Sequence, residues 1–473
     1  MNKTFQTITL GCKVNQAESE ALAAWCRNRG GWRIRSRSGQ GTDLCIINTC
    51  AVTGKAEMQS RQAVRKAVRT NPGAVIVVTG CAAQRDAGTF ARIEGVDYII
   101  GHANKHRIPE ILNQSQKNGA FSVPGKSFAG PVIFNRDLSD CKRFGPMPAP
   151  AAGERTRPFL KIQDGCNSFC TYCIVPYTRG RSRSLEPGIA ASEFRRLVSS
   201  GAPEIVLSGV HIGRYGVDLT PPTNLENLLR LLETIEGRHR IRLSSVEPTE
   251  LTDELLEFIA DSGKICPHFH IPLQSGDGDV LKRMHRPYCP GDFLALTEKI
   301  RAIFPDAAIG ADVLIGFPGE DEKAFARTLK LIERAPVTYL HVFPYSPRPD
   351  TPAARFPERV DAGVIKRRCR IMRELGRDKK REFFRQAVGK ILDVVIEKTD
   401  PEDTGRAKGL SANYIPVLLE NKGFLEGMRA VCRITEADSD RAVFGSTALK
   451  TGESGSTDMK YRVRQTHLTC ENP

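Results

Sequence analysis

The sequence of 473 residues contains no apolar run approaching the roughly 18 residues that a membrane-spanning helix needs. Its start, MNKTFQTITLGCKV, has one lysine and no long apolar segment of the kind found in secretory signals. We therefore expect a cytoplasmic protein without a membrane partner. In such a reducing compartment the 14 cysteines are expected to serve metal or redox chemistry rather than disulfides.

Acidic residues are too few to balance the basic ones. The chain has 69 lysines and arginines against 54 aspartates and glutamates, a formal net charge of +15. This excess favours a polyanionic partner, first of all nucleic acid, and an incidentally basic surface is the alternative. Apolar residues make up 40%, and the length suggests roughly three domains at about 150 residues each.

The stretch DGCNSFCTYCIVPYTRG contains Cys166, Cys170 and Cys173, with an aromatic residue, Tyr172, before the last of them. No further cysteine or histidine lies close to them in the sequence. A structural zinc site normally takes four protein ligands, and a cubane iron–sulfur cluster is usually held by four cysteines. Three thiolates therefore predict a cluster with one open iron. Half of a zinc ribbon, or reduced structural thiols, is the alternative.

The Cys-x3-Cys-x2-Cys spacing, together with Tyr172, resembles the motif of the radical S-adenosylmethionine (radical SAM) enzymes. The resemblance implies a [4Fe–4S] cluster whose open iron binds the amino and carboxylate groups of S-adenosylmethionine. It also implies that one electron from the cluster cleaves this molecule to a 5′-deoxyadenosyl radical.

Residues 1–112 alternate strand and helix patterns, which predicts a parallel α/β domain. Cys12, Cys50 and Cys81 each follow the carboxyl end of a predicted strand. Because ligands of open α/β sheets bind outside those ends, we expect the three thiols to meet at one edge of the sheet. Chance placement of three thiols is the alternative.

The segments GCKVNQAES, NTCAVT and GCAAQ around these cysteines resemble the N-terminal domain of the methylthiotransferases, a radical SAM subgroup. The resemblance implies that the three cysteines hold an auxiliary [4Fe–4S] cluster, whose free iron carries the sulfur to be inserted. It also matches Asn15, Asn48 and Gln84 to positions near that cluster, although a structural capping role explains each equally well.

A segment rich in Gly, Pro and Ala at 113–156 predicts a linker. Residues 157–388 then show six strand–helix units, which predict an incomplete parallel (β/α)6 barrel and an α/β fold class for the chain. Active residues of such barrels lie at the carboxyl ends of the strands. The three-cysteine motif follows the first strand, as this rule expects.

The loops after the next strands resemble further motifs of the same family. LSGVHIGRYG contains Gly209, where a glycine lets the backbone approach a ligand closely, and His211, where many members carry an acidic residue. His211 either faces substrate or fills space. LSSVEP contains hydroxyl and carboxylate groups suited to ribose hydroxyls or the methionine amine. The predicted cofactor-binding residues are Tyr172, Gly209, Ser245 and Glu247.

Basic residues of the central domain are predicted to contact RNA or substrate. Two of them lie in TRGRSRS directly after the cysteine motif, where phosphate contact is favoured over a solvated charge run. The others follow later strands and could hold a carboxylate of the substrate. The five residues are Arg179, Arg181, Arg214, Lys282 and Arg286.

Residues 389–450 alternate short strands and turns, which predicts a small β-barrel. The segment resembles a TRAM domain, an oligonucleotide-binding type of barrel found on RNA-modifying enzymes. Lys408 and Tyr414 are its predicted RNA-facing residues, and packing in the core is the alternative for Tyr414. Residues 451–473 are polar and aperiodic, which predicts a mobile tail.

These resemblances cover residues 4–447, and the chain is identified as a member of the methylthiotransferases. Its start, GCKVNQAES, is similar to the branch acting on N6-threonylcarbamoyladenosine beside the tRNA anticodon. The isopentenyl-adenosine branch tends to read GCQMN there, and the branch acting on a ribosomal-protein aspartate GCPKN. The other two targets, and a non-catalytic RNA-binding protein stabilised by zinc, are the alternatives.

The resemblance implies transfer of a methylthio group to C2 of the modified adenosine in tRNA. Two molecules of S-adenosylmethionine and two [4Fe–4S] clusters take part, and an electron donor and a sulfur source are needed. No side chain is predicted as a general base, because the cofactors carry the difficult chemistry.

Overall fold

The N-terminal part of the protein is a parallel sheet flanked by helices. Our computed structural model describes residues 3–28, 32–34, 41–117, 130–145, 155–399, 405–420, 423–437 and 440–447. The strands are β1 (Thr4–Thr9), β2 (Arg33–Ile34), β3 (Leu44–Thr49), β4 (Val75–Gly80), β5 (Tyr98–Ile100) and β6 (Val132–Phe134). The helices are α1 (Lys13–Asn28), α2 (Gly54–Thr70), α3 (Cys81–Arg85), α4 (Ala87–Ala91) and α5 (Ile108–Lys117), with a 3-10 helix at His102–Arg107.

All neighbouring strands of this sheet are parallel, in the order β2-β1-β3-β4-β5-β6. Every residue of β3 and β4 is buried, as expected of strands covered on both faces. The order changes direction between β1 and β3, and the crevice outside the carboxyl ends at such a switch point is where ligands bind in α/β sheets. Cys12 follows β1 and Cys50 follows β3, so both lie at that crevice.

The segment 113–156 is more structured than the predicted linker. Helix α5 continues to Lys117, and Val132–Phe134 pairs in parallel with β5 as the sixth strand. This strand gives hydrogen-bond partners to the edge of β5, which would otherwise be open. Residues 118–129 and 146–154 of the predicted linker, and the predicted tail at 451–473, lie outside the described residues.

The central part forms the predicted incomplete barrel. Its strands are β7 (Phe159–Lys161), β8 (Gln163–Asp164), β9 (Arg183–Ser184), β10 (Glu204–Ser208), β11 (Arg240–Leu243), β12 (His268–Gln274), β13 (Ala308–Ile315) and β14 (Tyr339–Pro344). Its helices are α6 (Val175–Arg179), α7 (Pro187–Ser199), α8 (Leu225–Glu233), α9 (Asp253–Asp261), α10 (Gly278–Arg283), α11 (Pro290–Ile303), α12 (Glu322–Arg334) and α13 (Ala362–Arg385).

Six parallel strands of this part form two sheets, β11-β10-β7 and β12-β13-β14. The sheets meet where the Val246 amide donates to the His270 carbonyl oxygen, at 3.0 Å. Apolar residues on one face of the strands pack against the helices in one core, with Leu207 and Ile309 as examples. Because side chains alternate along a strand, polar residues occupy the other face, which lines the barrel interior. Strands β7 and β14 are the two edges of the open barrel.

The C-terminal strands close into a barrel in the order β15-β16-β17-β19-β18, as predicted. They are β15 (Ile391–Thr399), β16 (Arg406–Ser411), β17 (Pro416–Glu420), β18 (Arg429–Glu436) and β19 (Val443–Thr447). Arg242 of β11 donates to the carbonyl oxygens of Ser411 and Ala412, at 3.0 Å each, and pairs with the buried Glu204. Arg242, held by the buried Glu204, therefore fixes this barrel to the central part through its hydrogen bonds. No helix of the described residues is both long and apolar enough to span a bilayer.

Candidate metal centres and active site

Cys12, Cys50 and Cys81, here called the sheet-edge set, meet at the carboxyl edge of the N-terminal sheet. Gly11 precedes Cys12 at φ +95°, and a Cβ there would lie 2.8 Å from the Cys50 sulfur, so only glycine allows this approach. Burial, and then the neighbouring Cys81, raise the pKa of Cys50 to about 12. Thiols in this environment would lose their protons to solvent when a metal centre binds, because the metal supplies the compensating positive charge.

The amide side chains beside the sheet-edge set order its loops. Asn15 donates to the Thr49 carbonyl oxygen at 3.0 Å, and Asn48 donates to the Asn15 carbonyl oxygen at 2.9 Å. Gln84 accepts a hydrogen bond from the His102 amide at 2.7 Å. His102 Nε2 in turn lies 3.3 Å from the Cys81 sulfur. These residues thus hold the strand ends and the cysteines in place.

Cys166, Cys170 and Cys173, here called the loop set, lie between β8 and β9, which pair antiparallel and close the base of the loop. Arg286 Nη1 lies 3.2 Å from the Cys170 sulfur, and His211 Nδ1 lies 3.4 Å from the Cys166 sulfur. Although burial opposes it, the hydrogen bond with His211 lowers the pKa of Cys166. Two cationic or hydrogen-bonding groups therefore stabilise thiolates in this loop.

The spacing of the sulfur atoms argues against a single zinc ion at either set. A tetrahedral zinc ion with bonds of about 2.3 Å would bring its sulfur ligands within roughly 4 Å of one another. Among the described residues, the group with three ligand atoms within 4.8 Å of one another is His270, Asp312 and His341, and neither cysteine set meets this limit. The wider spacing suits a cluster, which spreads its ligands over several irons.

The predicted cofactor-binding glycine lies in a crowded turn. A Cβ on Gly209 would come 2.7 Å from Ile212 Cγ2 and 3.0 Å from Gln163 Cβ. The Gln163 side chain accepts from the amides of Val210 and His211, at 2.9 and 2.8 Å. Gln163, which lies two residues before the cysteine loop begins, therefore fixes the backbone beside Gly209. Sequence reasoning missed this residue, since a lone glutamine at a strand end carries no signal.

The other predicted cofactor-binding residues surround the same strand ends. Tyr172 packs edge-on against Phe317, with ring centroids 6.5 Å apart. Glu247 forms an ion pair with Arg286, and Ser245 is exposed in the loop after β11. Nearby, the hydroxyls of Ser208 and Ser244 are buried and have no hydrogen-bond partner among the described residues. Unsatisfied hydroxyls at adjacent strand ends suit a polar ligand such as S-adenosylmethionine.

Arg179 and Arg286 lie inside the protein, where other residues engage their guanidinium groups. Arg179 is 1% exposed and donates to Glu18 and Asp164 at 2.9 and 2.8 Å. Arg286 is 9% exposed and is engaged by Glu247 and the Cys170 sulfur. The predicted RNA contact of Arg179 is corrected, because its guanidinium group neutralises buried carboxylates, which no basic-run argument could reveal. The predicted substrate contact of Arg286 stays a prediction.

The other basic residues predicted to contact RNA or substrate are exposed: Arg181, Arg214, Lys282 and Lys408. Arg214 lies 3.2 Å from the carboxylate of Glu250, and Lys282 lies 4.0 Å from that of Asp279. Tyr414 differs, because its ring stacks on His268 with centroids 4.1 Å apart. The ring also lies 5.2 Å from the Arg242 guanidinium carbon. Its predicted stacking on an RNA base is therefore corrected to packing between the two barrels.

A buried ionic network joins the two cysteine sets. Glu18 of α1 accepts from Lys105 at 2.5 Å, Lys161 at 2.7 Å and Arg179 at 2.9 Å. Burial alone would raise the pKa of Glu18, but these cations, Arg179 first, hold it well below its usual range. Arg179 follows the loop set. Although burial opposes it, Glu18 and Asp164, and then Cys81 and Cys12 of the sheet-edge set, raise the pKa of Arg179. We call the ion pairs of Glu18 with Lys161 and Arg179 the β7 contact. This contact fixes the sheet-edge set relative to the loop set.

A second contact joins the N-terminal part to the opposite edge of the barrel. Glu57 of α2 pairs with Arg348 of the loop after β14, and the Gly54 amide donates to Ser346 Oγ at 3.0 Å. Arg348 is buried. With this β14 contact (Glu57–Arg348 and Gly54–Ser346), the N-terminal sheet reaches both edges of the open barrel.

The barrel interior carries a polar row on three neighbouring strands. His270 Nε2 lies 2.8 Å from Asp312 Oδ1, and His341 Nδ1 lies 3.3 Å from the same oxygen. The Tyr339 hydroxyl bridges His268 and His270, at 2.8 and 3.0 Å. Such a row offers several donors and acceptors for orienting a nucleobase. The alternating HFH of β12 is the sequence signal that could have identified it.

Two family models match the chain. The Radical SAM superfamily matches residues 160–332, which contain the loop set and most of the partial barrel. An uncharacterized protein family designated UPF0004 matches residues 4–101, which contain the sheet-edge set.

Curated relatives match over nearly the full chain. Threonylcarbamoyladenosine tRNA methylthiotransferase MtaB of Bacillus subtilis is 37% identical over 439 residues, covering 91% of this chain and 93% of that protein. MtaB of Rickettsia prowazekii is 37% identical, covering 88% and 91%. A tRNA-2-methylthio-N(6)-dimethylallyladenosine synthase of Clostridium botulinum is 35% identical, covering 85% and 87%.

Among solved structures, the radical S-adenosylmethionine methyltransferase TsrM of Kitasatospora setae has a similar fold. Its TM-score is 0.53 at 14% identity, and the match covers 75% of this chain and 74% of that one. At this identity the likeness concerns the fold alone.

Proposed function

Since the chain belongs to the radical SAM tRNA methylthiotransferases, we propose that it transfers a methylthio group to C2 of N6-threonylcarbamoyladenosine next to the tRNA anticodon. The observation that carries this proposal is the joining of two three-cysteine sets by the buried Glu18–Arg179 network. One set suffices to generate a radical, whereas a second set next to it suits the insertion of sulfur.

At the loop set, Cys166, Cys170 and Cys173 would hold a [4Fe–4S] cluster. With S-adenosylmethionine bound, this cluster supplies the radical that removes hydrogen from an unactivated carbon, which side-chain acid–base chemistry cannot do. Arg286 and His211 stabilise the thiolates, and Gln163 fixes the glycine turn. The unpaired hydroxyls of Ser208 and Ser244, with Glu247, would hold the polar groups of S-adenosylmethionine.

At the sheet edge, Cys12, Cys50 and Cys81 would hold the second [4Fe–4S] cluster, at which the sulfur to be inserted is carried. The proposal includes two molecules of S-adenosylmethionine per product, one as methyl donor and one as radical source. It also requires an electron donor and a sulfur source. The chain's own contribution is positional, because Asn15 and Asn48 fix the sheet-edge loops and Glu18 ties them to the barrel.

The threonylcarbamoyl substituent carries a carboxylate, and Lys13 supports this choice of substrate. Lys13 follows Cys12 directly, and it forms no ion pair with a described residue. Burial, and then the Arg242 and Arg157 guanidinium groups, lower the pKa of Lys13, while Glu204 and Asp312 of the barrel oppose them. A lysine between the auxiliary cysteines and the barrel interior could therefore meet a substrate carboxylate. The isopentenyl substituent has no charged group that could pair with Lys13.

The partner tRNA is a polyanion, and exposed basic residues in two parts of the chain suit it. Arg181 follows the loop set, and Lys408 lies on the C-terminal barrel. Phosphate contacts of this kind position the RNA without reading its sequence.

Mass spectrometry of tRNA nucleosides tests the proposal. We expect cells without the protein to lose 2-methylthio-N6-threonylcarbamoyladenosine and to accumulate the unmodified precursor. Wild-type protein should restore the product, and a Cys81→Ala variant should not. Loss of the methylthio isopentenyl nucleoside instead, or unchanged tRNA together with a change in a ribosomal protein, would contradict the substrate assignment.

A further inference from the structure

A cavity of about 460 Å³ lies between the 3-10 helix after β5, the segment 136–145 and the first strand of the partial barrel. Its volume falls within the range of small-molecule sites. Seven lysines and arginines line it, against three carboxylates. It is separate from the barrel interior, where the substrate base is expected.

Several cations of this cavity have no anionic partner. Arg136, Lys142 and Arg143 are exposed and form no ion pair with a described residue. Arg183 is 6% exposed, and its Nη2 donates to the Arg179 carbonyl oxygen at 2.7 Å and lies 3.6 Å from Asp164 Oδ2. Its Nε, however, has no hydrogen-bond partner among the described residues. A buried guanidinium nitrogen left unsatisfied is costly, so the lining is built to receive an anion.

The cavity comes close to the sheet-edge set at one side chain, that of His102. His102 lines the cavity, and its Nε2 lies 3.3 Å from the Cys81 sulfur, so one side chain separates the two. A free thiol, Cys141, also lines the cavity. Cationic walls, a thiol and a neighbouring sulfur-carrying centre occur here together.

We propose that this cavity binds the persulfide of a small thiol bearing carboxylates, and that Cys141 accepts its outer sulfur atom. This rests on the proposed function, which consumes one sulfur atom for each product. The carboxylates pair with Arg143 and Arg183, and the volume accommodates a molecule larger than hydrosulfide. The cavity is thereby the entry site of the sulfur source.

The transfer needs no external oxidant or reductant. The Cys141 thiolate attacks the outer sulfur of the donor, and a new S–S bond forms on Cys141. The S–S bond of the donor breaks, and the donor thiolate leaves with the electron pair. The product is a persulfide on Cys141, next to the wall formed by His102.

Persulfide mass spectrometry of the anaerobic holoenzyme, with glutathione persulfide, which has two carboxylates, as the probe, tests this site. Cys289 is the internal reference, because it is an exposed free cysteine at the start of α11, a position that favours the reactive thiolate. We expect Cys141 to be labelled at least ten-fold faster than Cys289, and its advantage to fall with added salt.

A Lys142→Gln/Arg143→Gln variant should lose most of the Cys141 labelling and keep wild-type cleavage of S-adenosylmethionine. An Arg355→Gln variant, which removes an exposed arginine elsewhere, should label as the wild type does. Equal labelling of Cys141 and Cys289, or labelling insensitive to the double substitution, would overturn the site.

Two further outcomes separate this inference from its premises. If saturating tRNA blocks labelling of Cys141, the cations serve RNA phosphates and the persulfide site is wrong. If labelling occurs as expected but tRNA nucleosides are unchanged in cells without the protein, the site stands and the proposed function fails.

Discussion

Arg179 and Arg181 lie two residues apart in one basic run, yet only one of them faces solvent. Arg179 is buried against Glu18 and Asp164, and Arg181 is exposed beside the ring of Phe169. The sequence offers no means of separating them, because burial of a charge depends on carboxylates from elsewhere in the chain. The burial of Glu18 could not be predicted either, because the helical pattern of α1 is compatible with Glu18 on the buried face or on the exposed face of the helix.

An Arg179→Gln substitution should therefore be far more harmful than Arg181→Gln. It leaves two buried carboxylates with less compensation, which costs about 3–5 kcal/mol where no other cation replaces the lost one. Lys105 and Lys161 still pair with Glu18, so we expect the lower end of that range. Thermal unfolding of the anaerobic holoenzymes measures the difference, and Arg181→Gln should stay within about 0.5 kcal/mol of wild type. Equal effects would contradict the buried network.

The two cysteine sets should separate two activities. Alanine at all three positions of the loop set should abolish cleavage of S-adenosylmethionine, because the open-iron centre would be lost. Alanine at the three sheet-edge positions should leave cleavage measurable and stop methylthio transfer. Chromatography of 5′-deoxyadenosine and of tRNA nucleosides gives both readouts, with Cys289→Ser as the control. Cleavage that survives the first replacement would refute the assignment.

His239 should make stability depend on pH. Burial, and then nearby cations such as Lys264, lower its pKa to about 4, and neither ring nitrogen has a partner among the described residues. The unfolded chain binds a proton near the ordinary pKa of 6.5, so stability falls as the pH drops from there toward 4.

A His239→Phe variant keeps the ring contact with Phe194 and removes this effect. Urea unfolding at pH 7.5 and 5.5 should show a smaller loss of stability for the variant than for wild type, by about 1.3 kcal/mol at most. An identical loss in both proteins would mean that His239 titrates normally when folded.

At the scale of elements, continuous apolar runs such as DLCIIN predicted buried strands closely. The strand Val132–Phe134 was missed, because Gly and Pro flank it and its side chains are largely exposed at the sheet edge. Only the unpaired edge of β5 explains why it forms. Helix α3 begins directly at Cys81, since Gly80 at φ +101° turns the chain immediately after β4. The first of these features depends on tertiary pairing, and the second on the local backbone at Gly80.

The C-terminal barrel should bind tRNA through exposed cations rather than through Tyr414. Replacing Lys408 by Gln should weaken tRNA binding a few-fold and reduce the slope of log affinity against log salt by about one. Filter binding at several salt concentrations measures both quantities. A Tyr414→Phe variant keeps the stacking on His268 and should bind as wild type does. Unchanged salt dependence in the lysine variant would exclude this surface.

At the scale of the molecule, the N-terminal sheet spans the opening of the barrel. The β7 contact holds it at one edge, and the β14 contact holds it at the other. The motifs of each part were recognisable in the sequence, but their relative placement was not. It depends on pairs such as Glu57 and Arg348, which lie 291 residues apart.

Loosening the β14 contact should uncouple radical formation from sulfur insertion. Arg348→Ala removes the buried partner of Glu57, while Arg85 still neutralises that carboxylate, so the chain should fold. The loop set is untouched, and cleavage of S-adenosylmethionine should continue. The substrate and the second cysteine set would be held less firmly over the opening, so we expect the ratio of 5′-deoxyadenosine to methylthiolated nucleoside to rise several-fold. Arg355→Ala, in the same loop but exposed, should leave the ratio unchanged. If the Arg348 variant kept the wild-type ratio of 5′-deoxyadenosine to methylthiolated nucleoside, the β7 contact alone would suffice to hold the two cysteine sets in their relative positions.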